Sequence, residues 1–225
     1  MSVTLARSTT LPNPEYVRSL PGVTLVGVVH DHPASIARVR RVVRESDHET
    51  LALELPPLAV ELYHAYAADS ERGGEMSAAI RATDATVVGI DGPSTAFVRA
   101  FRRYLDRERV DEETRTRLRS SLRTASRRAV RCRLAATAVG RWLGADGTRS
   151  FTYDCDPGGD TDDLAADERS HVSMARAATA FSPPHVAHRD AIREECMAEA
   201  LAELPAPVVA VVGIDHLDGI ASRVG

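Results

Sequence analysis

The chain has 225 residues, of which 44% are hydrophobic and 27% charged, and its formal net charge is -4 at pH 7. This is long for one domain and short for two, and it supplies enough apolar material for a real core, which excludes disordered and fibrous classes. No segment approaches the roughly 20 uninterrupted apolar residues of a membrane helix, and the first residues lack the apolar run of a secretory signal. The expectation is a single domain over residues 1–225, cytoplasmic and not integral to a membrane.

Valine-rich residues Val23 to Val29 have the pattern of a strand buried on both faces in a parallel sheet. From Pro33 the spacing predicts a helix, with Ile36, Val39, Val42 and Val43 on one stripe and arginines on the other side. ETLALELPP reads as a second strand, ended by two prolines. Helical patterns follow in PLAVELYHAYAAD and, after Gly73-Gly74, in EMSAAIRATD, which leads into a third strand, ATVVGIDGP. Residues 94–143 read as two helices divided near Val110-Asp111, where Asp111, Glu112 and Glu113 suit a helix N-terminus. Residues 144–163 read as a loop; helices over about 162–181 and 186–203 precede a fourth strand, PAPVVAVVGID, and a last short helix. The order predicts an α/β fold, a mainly parallel central sheet flanked by helices, with a large helical insertion over about 94–205 before the last strand.

In open parallel sheets, ligands bind beyond the carboxyl ends of the strands. The four strands end at His30, Glu54, Asp91 and Asp215-His216, so each delivers a histidine or a carboxylate to one rim. Two imidazoles and a carboxylate, His30, His216 and Glu54, match the ligand set of an open divalent-metal site that activates water. Each histidine follows a glycine by three residues, Gly27 and Gly213, where backbone or ligand can approach closely. One polar strand end is ordinary as a cap or turn, as for Asp91 before Gly92-Pro93; four together point to a site.

The ordered GxxH pair, Gly27 to His30 and Gly213 to His216, resembles the TraB/PrgY group of the TIKI superfamily. Glu54 in ETLALELPP, and Arg169 and Met174 in DERSHVSMARA, are similar to that family's Glu and Arg motifs, and the likeness runs from Val23 to Ile220. The resemblance implies a fold shared with erythromycin esterases and haem-binding ChaN-like proteins (EreA/ChaN-like). It further implies a hydrolase related to divalent-metal-dependent peptidases, acting on a peptide or small-molecule substrate. His30, His216 and Glu54 would then hold a divalent metal ion (Mn, Co or Zn), Arg169 would stabilise oxyanion charge, and Asp91 would orient a ligand or water. Val28 stands where many relatives have Thr, and the C-terminal membrane helices of some relatives are absent. The alternative within the superfamily is a metal-independent esterase in which histidine is the base or nucleophile.

Several other features weigh towards structure. His32 reads as a turn or N-cap residue before a second ligand, and His185 and His188 as a solvated helix start, since they do not make the HExxH pattern. The acidic loop Asp154, Asp156, Asp160, Asp162 and Asp163 fails the EF-hand pattern at Gly158. Cys132, Cys155 and Cys196 form no CxxC, so neither a disulfide framework nor a thiolate zinc site is expected. All 28 basic residues are arginines, and nine of them fall between Thr114 and Trp142 with no acidic residue among them. The apolar stripe Leu118, Leu122, Ala125, Ala129 and Cys132 makes this an amphipathic surface helix. That helix supports a non-enzymatic alternative, a binding or regulatory module, or a homo-oligomer contact. With Trp142 as its one aromatic residue, a nucleic-acid partner is not expected.

Overall fold

The computed structural model describes residues 11–68, 72–137, 153, 155–179 and 181–225. Trp142, Asp154 and the segment 144–152 of the expected loop lie outside the described residues. The strands are β1 (Val17–Leu20), β2 (Val23–Val28), β3 (Thr50–Leu53), β4 (Thr86–Gly89) and β5 (Val208–Gly213). They form one sheet in the order β1-β2-β5-β3-β4, parallel except for β1, which pairs antiparallel to β2.

The helices among the described residues are α1 (Pro33–Glu45), α2 (Val60–Ala68), α3 (Gly74–Ile80), α4 (Thr95–Arg107), α5 (Glu112–Ala135), α6 (Thr161–Thr179), α7 (Pro184–Ala202) and α8 (Ile214–Val224). Helices α4 to α7 separate β4 from β5, where the sequence places the helical insertion. The α/β architecture with a mainly parallel sheet is thus the one the element order predicts.

Burial explains the unbroken valine runs. Alternate residues of β2, β3 and β5 (Val26, Leu51, Val209) pack under Val39, Val43 and Met76 of α1 and α3. Their neighbours (Leu25, Ala52, Ala210) pack under Met197 and Leu201 of α7 and Leu217 of α8. A strand covered on both faces has no polar face to show. Helices α4, α5 and α7 join through a separate core that includes Phe97, Phe101, Leu118 and Ile192.

Three local features depart from the sequence reading. β1 was not expected: it is four residues long, carries Arg18, and lies at the sheet edge. It joins β2 through Pro21-Gly22, with Gly22 at φ 76°, the positive φ that glycine supplies in a type II turn. The last helix begins at Ile214 directly after β5, so Asp215 and His216 stand in its first turn and not at a strand end.

On α1, Arg38 does not lie with the solvent-facing arginines; it is fully buried. Its guanidinium donates to Glu168 on α6 (2.7 and 2.8 Å), to the Gly27 carbonyl (2.6 Å) and to Ser35 Oγ (3.1 Å). Glu168 also accepts from Asn13 Nδ2 at 2.6 Å and from Ser35 Oγ. This network fastens α6 and the segment before β1 to α1, and every buried charge in it has a partner.

Candidate active site

The parallel register brings the strand ends together. Val28 of β2 pairs with Gly213 of β5, and Leu53 of β3 pairs with Val211 of β5 and Gly89 of β4. His30, Glu54, Asp91 and His216 therefore all follow strands that end on one side of the sheet. Above them, between the strand ends and helices α4, α5 and α7, lies a cleft of about 650 Å³. His30, Glu54 and Asp91 line it, together with Arg193 of α7, which the sequence reading passed over.

Arg193 is the centre of the polar floor. Its Nη2 donates to Glu54 Oε1 (2.5 Å) and Asp91 Oδ2 (2.8 Å), its Nε lies 3.3 Å from both Asp91 oxygens, and its Nη1 lies 2.7 Å from His216 Nε2. A guanidinium can only donate, so His216 Nε2 accepts and the ring proton sits on Nδ1, facing Glu194 Oε1 at 3.4 Å. Of the five N–H groups of Arg193, four are committed to these partners, and the fifth, on Nη1, has no partner among the described residues. Burial alone would push the Glu54 carboxyl up, but the Arg193 charge and the Gly213 amide outweigh it and hold the group below the usual carboxylate range.

The glycines of the two GxxH motifs are required for different reasons. The Gly213 amide donates to Glu54 Oε2 at 2.5 Å, and a Cβ at this position would sit 3.3 Å from the same oxygen. At Gly27 a Cβ would meet Leu217 Cδ2 at 2.9 Å and the Tyr16 carbonyl at 3.2 Å, so this glycine permits packing of the sheet and does not face the cleft chemistry.

His30 stands apart from the Arg193 group. Its Nδ1 lies 2.7 Å from Glu75 Oε1 of α3, while Glu75 Oε2 accepts from the Asp31 amide at 2.8 Å. Glu75 is buried, so the carboxylate is fixed at both oxygens and fixes the ring. The Glu75 hydrogen bond lifts the His30 pKa to about 9 against the opposing cost of burial. Tyr153 donates its hydroxyl proton to the His30 carbonyl at 2.5 Å.

The divalent-metal expectation needs His30, Glu54 and His216 to present donor atoms to one point. Among the described residues, the group of three potential ligands with donor atoms within 4.8 Å of one another is instead His32, Cys155 and Asp167. Glu54 Oε1 and His216 Nε2 are 3.8 Å apart, but both are bonded to Arg193, a fixed cation beside the space an ion would need. In this arrangement the three residues do not fit a metal. His32 is the N-cap of α1, as expected: its Nδ1 accepts from the Ala34 amide at 3.2 Å, which leaves the ring proton on Nε2, directed to Asp167 Oδ2 at 3.0 Å. That tautomer offers no lone pair to a metal.

Arg169 lies away from the cleft and donates to Asn13 Oδ1, within the network around Glu168. Met174 is exposed on the same helix. The apolar stripe of α5 does not simply cover a surface: Leu118, Leu122, Ala129 and Cys132 form one wall of the cleft. Several arginines of that helix pair locally, Arg117 with Glu113, Arg119 with Glu112 and Arg133 with Glu61 of α2. His188 is engaged too, its Nδ1 lying 2.8 Å from the Tyr104 hydroxyl.

Comparison of the chain with protein-family models, with curated proteins and with solved structures gave no match in any of the three.

Proposed function

We propose that the chain is a hydrolase of ester or amide bonds in which His30, held by Glu75, is the general base and no metal takes part. The observation that carries this reading is the His30–Glu75 contact on the cleft wall. A buried carboxylate on Nδ1 sets the tautomer and orientation of the ring and leaves Nε2 to take a proton from water. Once His30 has lost its bound proton, its Nε2 activates a water lodged in the cleft. That water attacks the substrate carbonyl, and the remaining N–H of Arg193 stabilises the negative charge that develops on the carbonyl oxygen. Glu54, Asp91 and His216 keep Arg193 in place and are positioning residues.

The reading keeps the TraB-like relationship and the kinship with erythromycin-esterase and ChaN-like folds as part of the proposal, on the strength of the two GxxH motifs at adjacent strand ends. It takes the metal-independent branch because Arg193 bonds to two of the three residues that would ligate the ion.

The test uses neutral aryl esters and short peptides with the parent chain, before and after exhaustive chelation, and with His30→Ala. Activity that survives chelation and falls by about 10²- to 10⁴-fold in a folded His30→Ala variant is the expected result. Activity that disappears on chelation and returns with Mn, Co or Zn refutes the mechanism and restores the metal-dependent peptidase.

A further inference from the structure

The cleft holds more than its polar floor. Its walls are apolar where α4 and α5 meet, with Phe97, Phe101, Leu118 and Leu122 in the lining. Two polar lining groups are not used by the proposed mechanism: Arg128 of α5 and Tyr63 of α2.

The charges of the cleft are not all paired. The two lining carboxylates, Glu54 and Asp91, are both bound to Arg193, and Arg189 is paired with Asp190 at 2.8 Å. Among the described residues Arg128 has no hydrogen-bond or ion-pair partner, although it is exposed and lines the cavity. The Tyr63 hydroxyl likewise has none among them. Tyr63, Arg128 and His30 line the same cavity, and the phenol feels the charges of Glu75, Arg128 and Asp31. Burial pushes the phenol up, so it stays protonated and able to donate. An unpaired guanidinium and an O–H donor lining one cavity with apolar walls are complementary to an anionic group on an apolar body.

We propose that Arg128 and Tyr63 form an anion-binding subsite, and that the ligand of the cleft is a small apolar molecule carrying one carboxylate or phosphate. The apolar part lies against Phe97, Phe101 and Leu122, and the anion reaches the subsite. The inference names the substrate class of the hydrolase proposed above and rests on that reading for the chemistry, but its binding claim stands alone.

The test is calorimetric titration at low salt with 4-phenylbutyrate, phenyl phosphate and the neutral 4-phenylbutyramide. Both anions, or one of them, bind more tightly than the amide, and the tighter of the two distinguishes carboxylate from phosphate. Arg128→Ala weakens the anions by about 10- to 100-fold, the range of a lost charge-assisted hydrogen bond, Arg128→Glu weakens them further, and Tyr63→Phe weakens them by less. Arg127→Ala, on the same helix but outside the cleft lining, leaves the affinity at the parent value. Circular dichroism confirms that each variant is folded. Equal affinity for anion and amide, no anion binding at millimolar ligand, or an unchanged affinity in folded Arg128→Ala overturns the proposal. The two readings fail separately: anion binding without turnover in the parent removes only the hydrolase, and turnover without anion preference removes only the subsite.

Discussion

Replacing Glu168 by Ala removes the counter-ion of a guanidinium that is fully buried. Arg38 keeps the Gly27 carbonyl at 2.6 Å and the Pro12 carbonyl at 3.2 Å, but two charge-assisted bonds of 2.7 and 2.8 Å are lost, and Asn13 and Ser35 lose their acceptor. Breaking a buried pair from one side costs about 3–5 kcal/mol, because the remaining charge cannot be hydrated. With a urea dependence of about 2–3 kcal/mol per M, the unfolding midpoint followed by circular dichroism falls by about 1–2.5 M. Arg38→Met combined with Glu168→Leu removes both charges and recovers most of that loss. Burial would raise the Glu168 carboxyl, but Arg38 and Ser35 hold it below the usual range. The stabilisation is therefore present above the unfolded carboxylate pKa of about 4.3 and is lost as pH falls below it, so the parent loses more on acidification than Glu168→Ala does. A single variant that loses under about 1 kcal/mol, or a double variant as unstable as the sum of the singles, refutes the reasoning.

The remaining predictions concern the cleft. A general base works deprotonated, so with His30 pushed up to about 9 the value of kcat/KM climbs with pH and is half-maximal near there; Glu75→Gln moves the inflection down towards about 6.5. A profile that is flat above pH 7 in the parent contradicts this. Arg193→Met leaves Glu54 and Asp91 without their cation, destabilises the fold by about 2–3 kcal/mol in urea titrations, and lowers kcat by roughly 10²- to 10³-fold. Gly213→Ala forces Glu54 Oε2 away from a Cβ otherwise 3.3 Å distant, and lowers turnover by roughly tenfold with little change in unfolding midpoint. Gly27→Ala, whose Cβ meets Leu217 and the Tyr16 carbonyl, does the reverse: it costs about 1–3 kcal/mol of stability and retains turnover in the folded fraction.

The central strands were legible because a strand covered on both faces must be apolar throughout, which valine runs such as VTLVGVV announce. The edge strand was not, since VRSL is short and half-exposed and its pairing depends on β2. His30, Glu54 and Asp91 were placed at one cleft by the rule that parallel strands present their carboxyl ends together. Arg193 and Glu75 carry no such signal. Arg193 sits mid-helix among arginines that all look alike in a chain without lysine, and Glu75 stands in a helix first turn, where an acidic residue is ordinary. Arg38 shows the same limit: helical spacing placed it among polar residues, and only Glu168, 130 residues away in sequence, makes its burial affordable. Partners brought together by tertiary structure leave no trace in local periodicity.

The position of β5 has a consequence for how the chain acquires its site. This strand is the last of the five in sequence, yet it lies in the middle of the sheet and, among the described residues, bridges the β1-β2 pair and the β3-β4 pair. During synthesis the two halves can each form, but they have nothing to pair with until residues 208–213 leave the ribosome, and the exposed edges of β2 and β3 wait for the same partner. Closing that gap spans most of the chain, which makes the step slow and open to competition from other unpaired strands. Nascent chains halted before residue 208 are therefore expected to engage chaperones, and the cleft becomes competent only in the final step of assembly.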